Sequence, residues 1–135
     1  MDEAAARTII KNHSDWASRD EVRASECYAE DVVLEFPQSG ERIRGRENIT
    51  ATRQAYPANL DFEMHRTIGC GDLWVNEYTL RYDGENLRKV AGIMEFRNGK
   101  VVRERLYITE PWEPPAWRAQ WVERFATDEG PGVDP

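Results

Sequence analysis

The chain has 135 residues, 40% hydrophobic and 10% aromatic, enough for one domain with a real core and too short for two ordinary ones. Its 25 acidic and 18 basic side chains leave a formal net charge of −7, which argues against nucleic acid or an acidic membrane surface as partner. Apolar runs such as Val32-Val33-Leu34 fall far short of the roughly 20 residues that cross a bilayer, so no membrane span is expected.

The start, Met1-Asp2-Glu3-Ala4-Ala5-Ala6-Arg7, lacks the basic head and apolar stretch of a secretory leader, so a cytoplasmic location is expected, with Cys27 and Cys70 as reduced thiols. Ala6, Ile9, Ile10, His13 and Trp16 recur at three- and four-residue steps and predict an amphipathic helix over about residues 2 to 17. Ser18-Arg19-Asp20-Glu21 has capping-box spacing and predicts a second helix to about Tyr28. Val32 to Phe36 reads as a strand that Pro37 ends, Glu41 to Arg44 as a segment pairing back, and Arg46 to Tyr56 as a third helix stopped by Pro57.

Gly69-Cys70-Gly71-Asp72, Asp83-Gly84 and Asn98-Gly99 then divide the chain into four antiparallel strands, about 60 to 68, 73 to 82, 85 to 97 and 100 to 109. Asp-Gly and Asn-Gly accept the positive φ that a type I′ hairpin turn needs. Gly92, in the middle of the third of these strands, predicts a bulge or bend and hence a curved sheet with a concave side. Glu113-Pro114-Pro115 opens a terminal helix carrying Trp117, Trp121 and Phe125 on one stripe, which must be buried against something. A single domain is expected over residues 1–126, and 127–135 reads as a disordered tail.

Several of these pieces carry a resemblance: Tyr28-Ala29-Glu30-Asp31-Val32-Val33, Glu35-Phe36-Pro37-Gln38-Ser39-Gly40-Glu41, Gly45-Arg46-Glu47-Asn48-Ile49, Gly71-Asp72-Leu73-Trp74-Val75 and the run from Glu110 to Arg118. Together they resemble the SnoaL-like, or nuclear transport factor two-like, α+β cone. The resemblance implies a curved antiparallel sheet wrapped around N-terminal helices, with a C-terminal helix and one deep pocket on the concave face. Isomerases, polyketide cyclases, epoxide hydrolases, dehydratases and binders share that fold, so the fold leaves function open. It also implies a homodimer. The general-base position of the ketosteroid isomerases falls here on Phe36, their oxyanion-hole tyrosine on Asn12 and their second acid near Gly92. The charged positions of the limonene epoxide hydrolases fall on Tyr78, Leu80 and Leu106.

With Tyr78 and Leu80 turned inward as the resemblance implies, strand alternation adds Trp74, Asn76 and Tyr82, then Val90, Gly92, Met94 and Phe96, then Val102, Glu104, Leu106 and Ile108. Glu104 is then a lone carboxylate on an apolar face, the first catalytic candidate, unless an arginine pairs with it. Glu35 is the second, on condition that a one-residue bulge before Pro37 turns it into the cavity; otherwise it pairs with Arg42, Arg44 or Arg103. Tyr28, Tyr78 or Tyr107 could steady an oxyanion, with Tyr78 the catalytic choice. Trp16, Tyr28, Phe36, Trp74, Asn76, Met94, Leu106 and Trp112 are the expected ligand wall, suited to a hydrophobic cyclic or polyketide-like molecule. His13 is either a spare base or a structural imidazole. His65 and the two cysteines lack metal-ligand spacing, and no phosphate loop or nucleophile elbow occurs, so no metal or other cofactor is expected.

Three functions fit this reading. One is cofactor-independent acid and base chemistry such as isomerisation, cyclisation or dehydration. The others are noncatalytic ligand binding and a dimeric scaffold whose outer face carries Glu77, Arg81, Glu95, Arg97, Arg103 and Arg105.

Overall fold

The computed structural model describes residues 1–127, so the expected tail lies, apart from Thr127, outside the described residues. Helix α1 runs from Glu3 to Trp16. The Asp2 carboxylate accepts the amides of Ala4 and Ala5 at 2.8 and 3.3 Å, a cap that contributes about 1 kcal/mol. The expected second helix is shorter: α2 spans only Glu21–Ala24, followed by a 3-10 turn over Ser25–Cys27. Ser18 adopts φ +66° and does not cap it. Asp20 does, accepting the Arg23 amide at 3.1 Å, while Glu21 reaches back to the Ser18 amide at 2.6 Å.

Six strands follow, β1 (Tyr28–Phe36), β2 (Glu41–Arg44), β3 (Leu60–Cys70), β4 (Leu73–Tyr82), β5 (Glu85–Arg97) and β6 (Lys100–Thr109), with α3 (Arg46–Gln54) between β2 and β3. The sheet order is β2-β1-β6-β5-β4-β3. All pairs are antiparallel except β1 with β6, which is parallel and joins the two ends of the chain's strand series. Asp83 and Gly84, and Asn98 and Gly99, take φ between +52° and +77°, as the hairpin dipeptides predict.

Gly92 is not a bulge. It pairs in regular register with Asn76 on one side and Leu106 on the other. An added Cβ would lie 3.1 Å from Leu106 Cδ2, 3.8 Å from Tyr78 and 3.9 Å from Glu104 Oε2, so the missing side chain leaves a notch between these three. Register shifts on β5 sit instead near its start, where Leu80 pairs with Arg88 and Tyr82 with Glu85, and between Glu95 and Phe96, opposite Arg103 and Val101. At the second of these Val101 is completely buried, where alternation assigns Val102.

The core lies between α1, α3 and the concave face, with Ala6, Ile10, Val32, Leu34, Ile49, Trp74, Met94 and Phe96 buried. The expected C-terminal helix is present but short, a 3-10 stretch over Ala116–Trp121 in place of a longer α-helix. Trp117 and Trp121 are each 74% exposed and Phe125 72%. Pro111, Pro114 and Pro115 deny the segment amide donors, so it leaves β6 as an extended arm. Among the described residues no helix is long and apolar enough to cross a membrane.

Candidate functional site

A cavity of about 250 Å³ lies between the helices and the concave face. Its walls are Phe36 from β1, Leu60 and Phe62 from β3, Asn76, Tyr78, Leu80 and Tyr82 from β4, Met94 from β5, and Leu106 and Ile108 from β6. His13 from α1, Arg53 and Tyr56 from the α3 end, and Glu104 complete it. Phe36, not Glu35, faces the cavity because β1 keeps its period of two up to Pro37.

Glu104 is 3% exposed. Its Oε1 accepts the Tyr28 hydroxyl at 2.5 Å and stands 3.6 Å from Arg53 Nη2, while Arg53 Nη1 donates to the same hydroxyl at 2.9 Å. Burial opposes the charge on Arg53, but Tyr28 and Glu104 outweigh it and hold the guanidinium protonated. Oε2, 3.9 Å from the Gly92 notch, has no hydrogen-bond partner among the described residues. One carboxylate oxygen is therefore anchored while the other is left to whatever enters. Burial raises the Tyr28 and Tyr78 hydroxyl pKa above the ordinary tyrosine value, and the Glu104 charge adds to it, so both stay protonated donors.

His13 Nδ1 lies 2.7 Å from the Ala24 carbonyl. A carbonyl only accepts, so Nδ1 carries the proton and Nε2 is left an acceptor without a hydrogen-bond partner among the described residues. Burial pushes the imidazole pKa below its ordinary value, against the pull of Glu104, which keeps the ring neutral. Its edge meets the Tyr28 ring at a centroid distance of 5.5 Å. Cys27, 3.5 Å from His13 Nδ1, has its thiol pushed up to about 12 by burial and by Glu104, so it is no nucleophile at neutral pH.

The geometry therefore separates the expected site residues. Glu104, Tyr78, Phe36, Asn76, Met94 and Leu106 share the cavity. Tyr28 lies beneath it as the support of Glu104. Trp74 is sealed in the core, its Nε1 donating to the Gly71 carbonyl at 2.9 Å, and Trp16 is half-buried under Arg23, 4.4 Å from the guanidinium. Trp112, 76% exposed, stands on the arm.

Glu35 faces away from the cavity. Arg42 donates to it at 2.6 and 2.9 Å, and Arg105 and Arg103 lie at 3.6 and 3.9 Å. The Arg42 hydrogen bonds, with the three arginine charges, hold its pKa below the usual carboxylate value. Tyr107 points outward from β6. His65 Nε2 is paired with the Thr79 hydroxyl at 2.6 Å, and both cysteines are free thiols.

Arg53 was missed by the reading from sequence. Its position seven residues after Arg46, on the inner side of a short helix, is the only sequence signal, and it does not single the residue out. Among the described residues no cluster of three His, Cys, Asp or Glu side chains could hold a metal ion.

Comparison with known proteins adds the relationship. Residues 12–104 match the SnoaL-like domain family. A crystal structure of an NTF2-like protein of unknown function from Burkholderia xenovorans LB400 superposes with a TM-score of 0.81 at 40% identity, over 92% of this chain and 98% of that one. A candidate ketosteroid isomerase from Kribbella flavida also gives 0.81, at 27% identity over 96% of both chains. An epoxide hydrolase from M. tuberculosis shares the fold alone, with a TM-score of 0.68 at 19% identity over 78% of this chain and 84% of that one. No curated protein matches the sequence. With the family match spanning most of the fold, from α1 to the carboxylate at the cavity floor, the chain belongs to the SnoaL-like domain family.

Proposed function

We propose that the cavity takes a neutral, hydroxyl- or carbonyl-bearing molecule of one or two rings and that Glu104 moves a proton on it. The half-anchored carboxylate carries this reading: Oε1 is fixed by Tyr28 and Arg53, and Oε2 has no hydrogen-bond partner among the described residues where Glu104 lines the cavity. An apolar cavity of about 150 Å³ takes benzene, so about 250 Å³ suits a fused pair of rings and not a steroid. Glu104 repels an anionic ligand, and two bare acceptors, Glu104 Oε2 and His13 Nε2, favour a ligand that brings donors.

The chemistry follows from those groups. Oε2 removes a proton from a carbon next to a carbonyl, and the C–H electron pair passes through the new C=C bond to the carbonyl oxygen. The Tyr78 hydroxyl donates to that oxygen as its charge grows. Return of the proton to another carbon isomerises the substrate; attack of the enolate carbon on a second carbonyl cyclises it. The similarity to a candidate ketosteroid isomerase from Kribbella flavida supports this reading, although the isomerases' general-base position falls here on Phe36 of β1 and the proton-moving acid stands on β6.

A binding-only role is the second reading, favoured by Arg53 at 3.6 Å, which pairs with the carboxylate and holds it in place. Deuterium exchange at the α-carbon of 2-tetralone in D₂O, followed by NMR, distinguishes the two. The wild-type protein accelerates exchange and Glu104→Gln slows it by a factor of about 100 or more. Absence of exchange with the wild type, together with binding of 2-naphthol, favours the binder.

A further inference from the structure

We infer that Asn76 recognises the carbonyl of the ligand: its side-chain amide donates to the oxygen of a ring ketone seated over Gly92, beside the Tyr78 hydroxyl. This rests on the cavity being a site for a carbonyl-bearing ring, and it names the group that selects the carbonyl. Asn76 is 3% exposed and lines the cavity, yet the proton transfer makes no use of it. A buried side-chain amide is costly unless its donors and its acceptor find partners, so the fate of each of its hydrogen bonds is informative.

Two contacts set the direction of that amide. Thr67, the residue paired with Asn76 on β3, donates its hydroxyl to Oδ1 at 2.9 Å. The nitrogen is thereby turned the other way, toward β5, where Nδ2 stands 3.6 Å from the Met94 sulfur. A thioether accepts weakly and donates nothing, so nitrogen and not oxygen belongs at that end. An amide nitrogen carries two N–H groups. One of them has only this poor acceptor, and the other has no hydrogen-bond partner among the described residues.

The nitrogen is turned toward the strand that holds the notch. Gly92 is paired with Asn76 across β4 and β5, and side chains at directly paired positions lie about 5 Å apart. Glu104 pairs with Met94 and Tyr78 with Val90, the residues two places to either side of Gly92 on β5. Base and phenol thus stand at opposite corners of the notch, 3.9 and 3.8 Å from the place a Cβ on Gly92 would take. A carbonyl oxygen offers two lone pairs, and negative charge gathers on it as the neighbouring carbon loses its proton. The Asn76 amide and the Tyr78 hydroxyl supply one donor for each lone pair, while Glu104 Oε2 is left for the carbon. An amide does not give up its proton to an enolate, so Asn76 holds the charged oxygen without quenching it.

Titration of the full chain with 2-tetralone and with tetralin, the same ring system without the oxygen, tests this. In the wild type 2-tetralone shifts the Asn76 side-chain amide protons downfield in NMR spectra and tetralin does not. Asn76→Leu, similar in volume and without donors, lowers 2-tetralone affinity about tenfold, leaves tetralin affinity unchanged and slows α-deuterium exchange of 2-tetralone about 100-fold. Glu104→Gln slows exchange but keeps the amide shift. A wild type that shows the amide shift without exchange therefore counts against Glu104 as a base and supports Asn76 as the carbonyl donor. Amide protons of the wild type that ignore 2-tetralone, or failure of 2-tetralone to bind, overturn the proposal, and neither result depends on a variant that must fold. Equal loss of both ligands in Asn76→Leu also overturns it, since Asn76 would then only shape the wall.

Discussion

Glu104 and Glu35 stand on paired strands one register apart, for Leu34 lies beside Glu104 and Glu35 beside Arg105, yet their surroundings are opposite. Glu104 is enclosed, with one guanidinium and one phenol on a single oxygen and an apolar cavity at the other. Glu35 lies on the outer face among three arginines, with both oxygens engaged. A carboxylate is left available to a ligand by the partners withheld from one of its oxygens. Full pairing turns the same side chain into a surface brace, and the alternation of the strand decides which of the two it becomes.

Substitutions break this comparison most sharply at Glu104. Glu104→Gln lowers turnover by a factor of about 100 to 10⁴ and, by leaving Arg53 buried without its anion, lowers folding stability by about 3 kcal/mol, read by urea denaturation. Tyr28→Phe deletes the hydroxyl that bridges Glu104 and Arg53 and costs about 2 kcal/mol in the same experiment, with turnover falling less than in Glu104→Gln because the free oxygen remains.

Acid acts on the inner cluster through His13. Its folded-state pKa lies below the ordinary value of 6.5, so the neutral ring contributes stability that is fully present above 6.5 and is lost as pH falls from there through the lower folded-state value. Glu104, Arg53, Tyr28, Cys27 and Glu21 face it and set the size of the loss. Denaturation midpoints measured between pH 7 and pH 5 fall for the wild type, and the slope flattens in His13→Gln.

Gly92→Ala places a methyl group 3.9 Å from Glu104 Oε2 and 3.1 Å from a flexible Leu106 methyl. It leaves stability nearly unchanged and lowers affinity for 2-naphthol several-fold, as isothermal calorimetry would report. Glu35→Gln marks the other end of the scale, with turnover and 2-naphthol binding the same as wild type. A loss of activity there would mean that the outer arginine network reaches the cavity.

The strands, their hairpin turns and the inward set on β4 and β5 were legible from the sequence, because glycine dipeptides and a period of two are local signals. Glu104 was legible for the same reason, as the one acid on an apolar face. What failed depended on contacts between distant residues. The β6 irregularity that buries Val101 instead of Val102 follows from pairing with Phe96, and the choice between Phe36 and Glu35 was settled by strand register. Tryptophans misled the reading, since a large ring on an inner stripe fits a ligand wall, a core and a surface stack equally well. Trp74, Trp16 and Trp112 went to the core, to Arg23 and to the arm. The helix-like spacing of Trp117, Trp121 and Phe125 finds no packed face among the described residues, so only the short 3-10 stretch Ala116–Trp121 forms, since a longer helix needs such a face to persist.

Whether the free oxygen of Glu104 serves the cavity is read from paired binding of 2-naphthol and 2-naphthoate to wild type, Glu104→Gln and Glu35→Gln. The wild type is expected to bind the neutral naphthol and exclude the carboxylate, Glu104→Gln to lose about tenfold in naphthol affinity while gaining affinity for naphthoate, and Glu35→Gln to match the wild type. Equal binding of both ligands to the wild type, or indifference of both to Glu104→Gln, would contradict it.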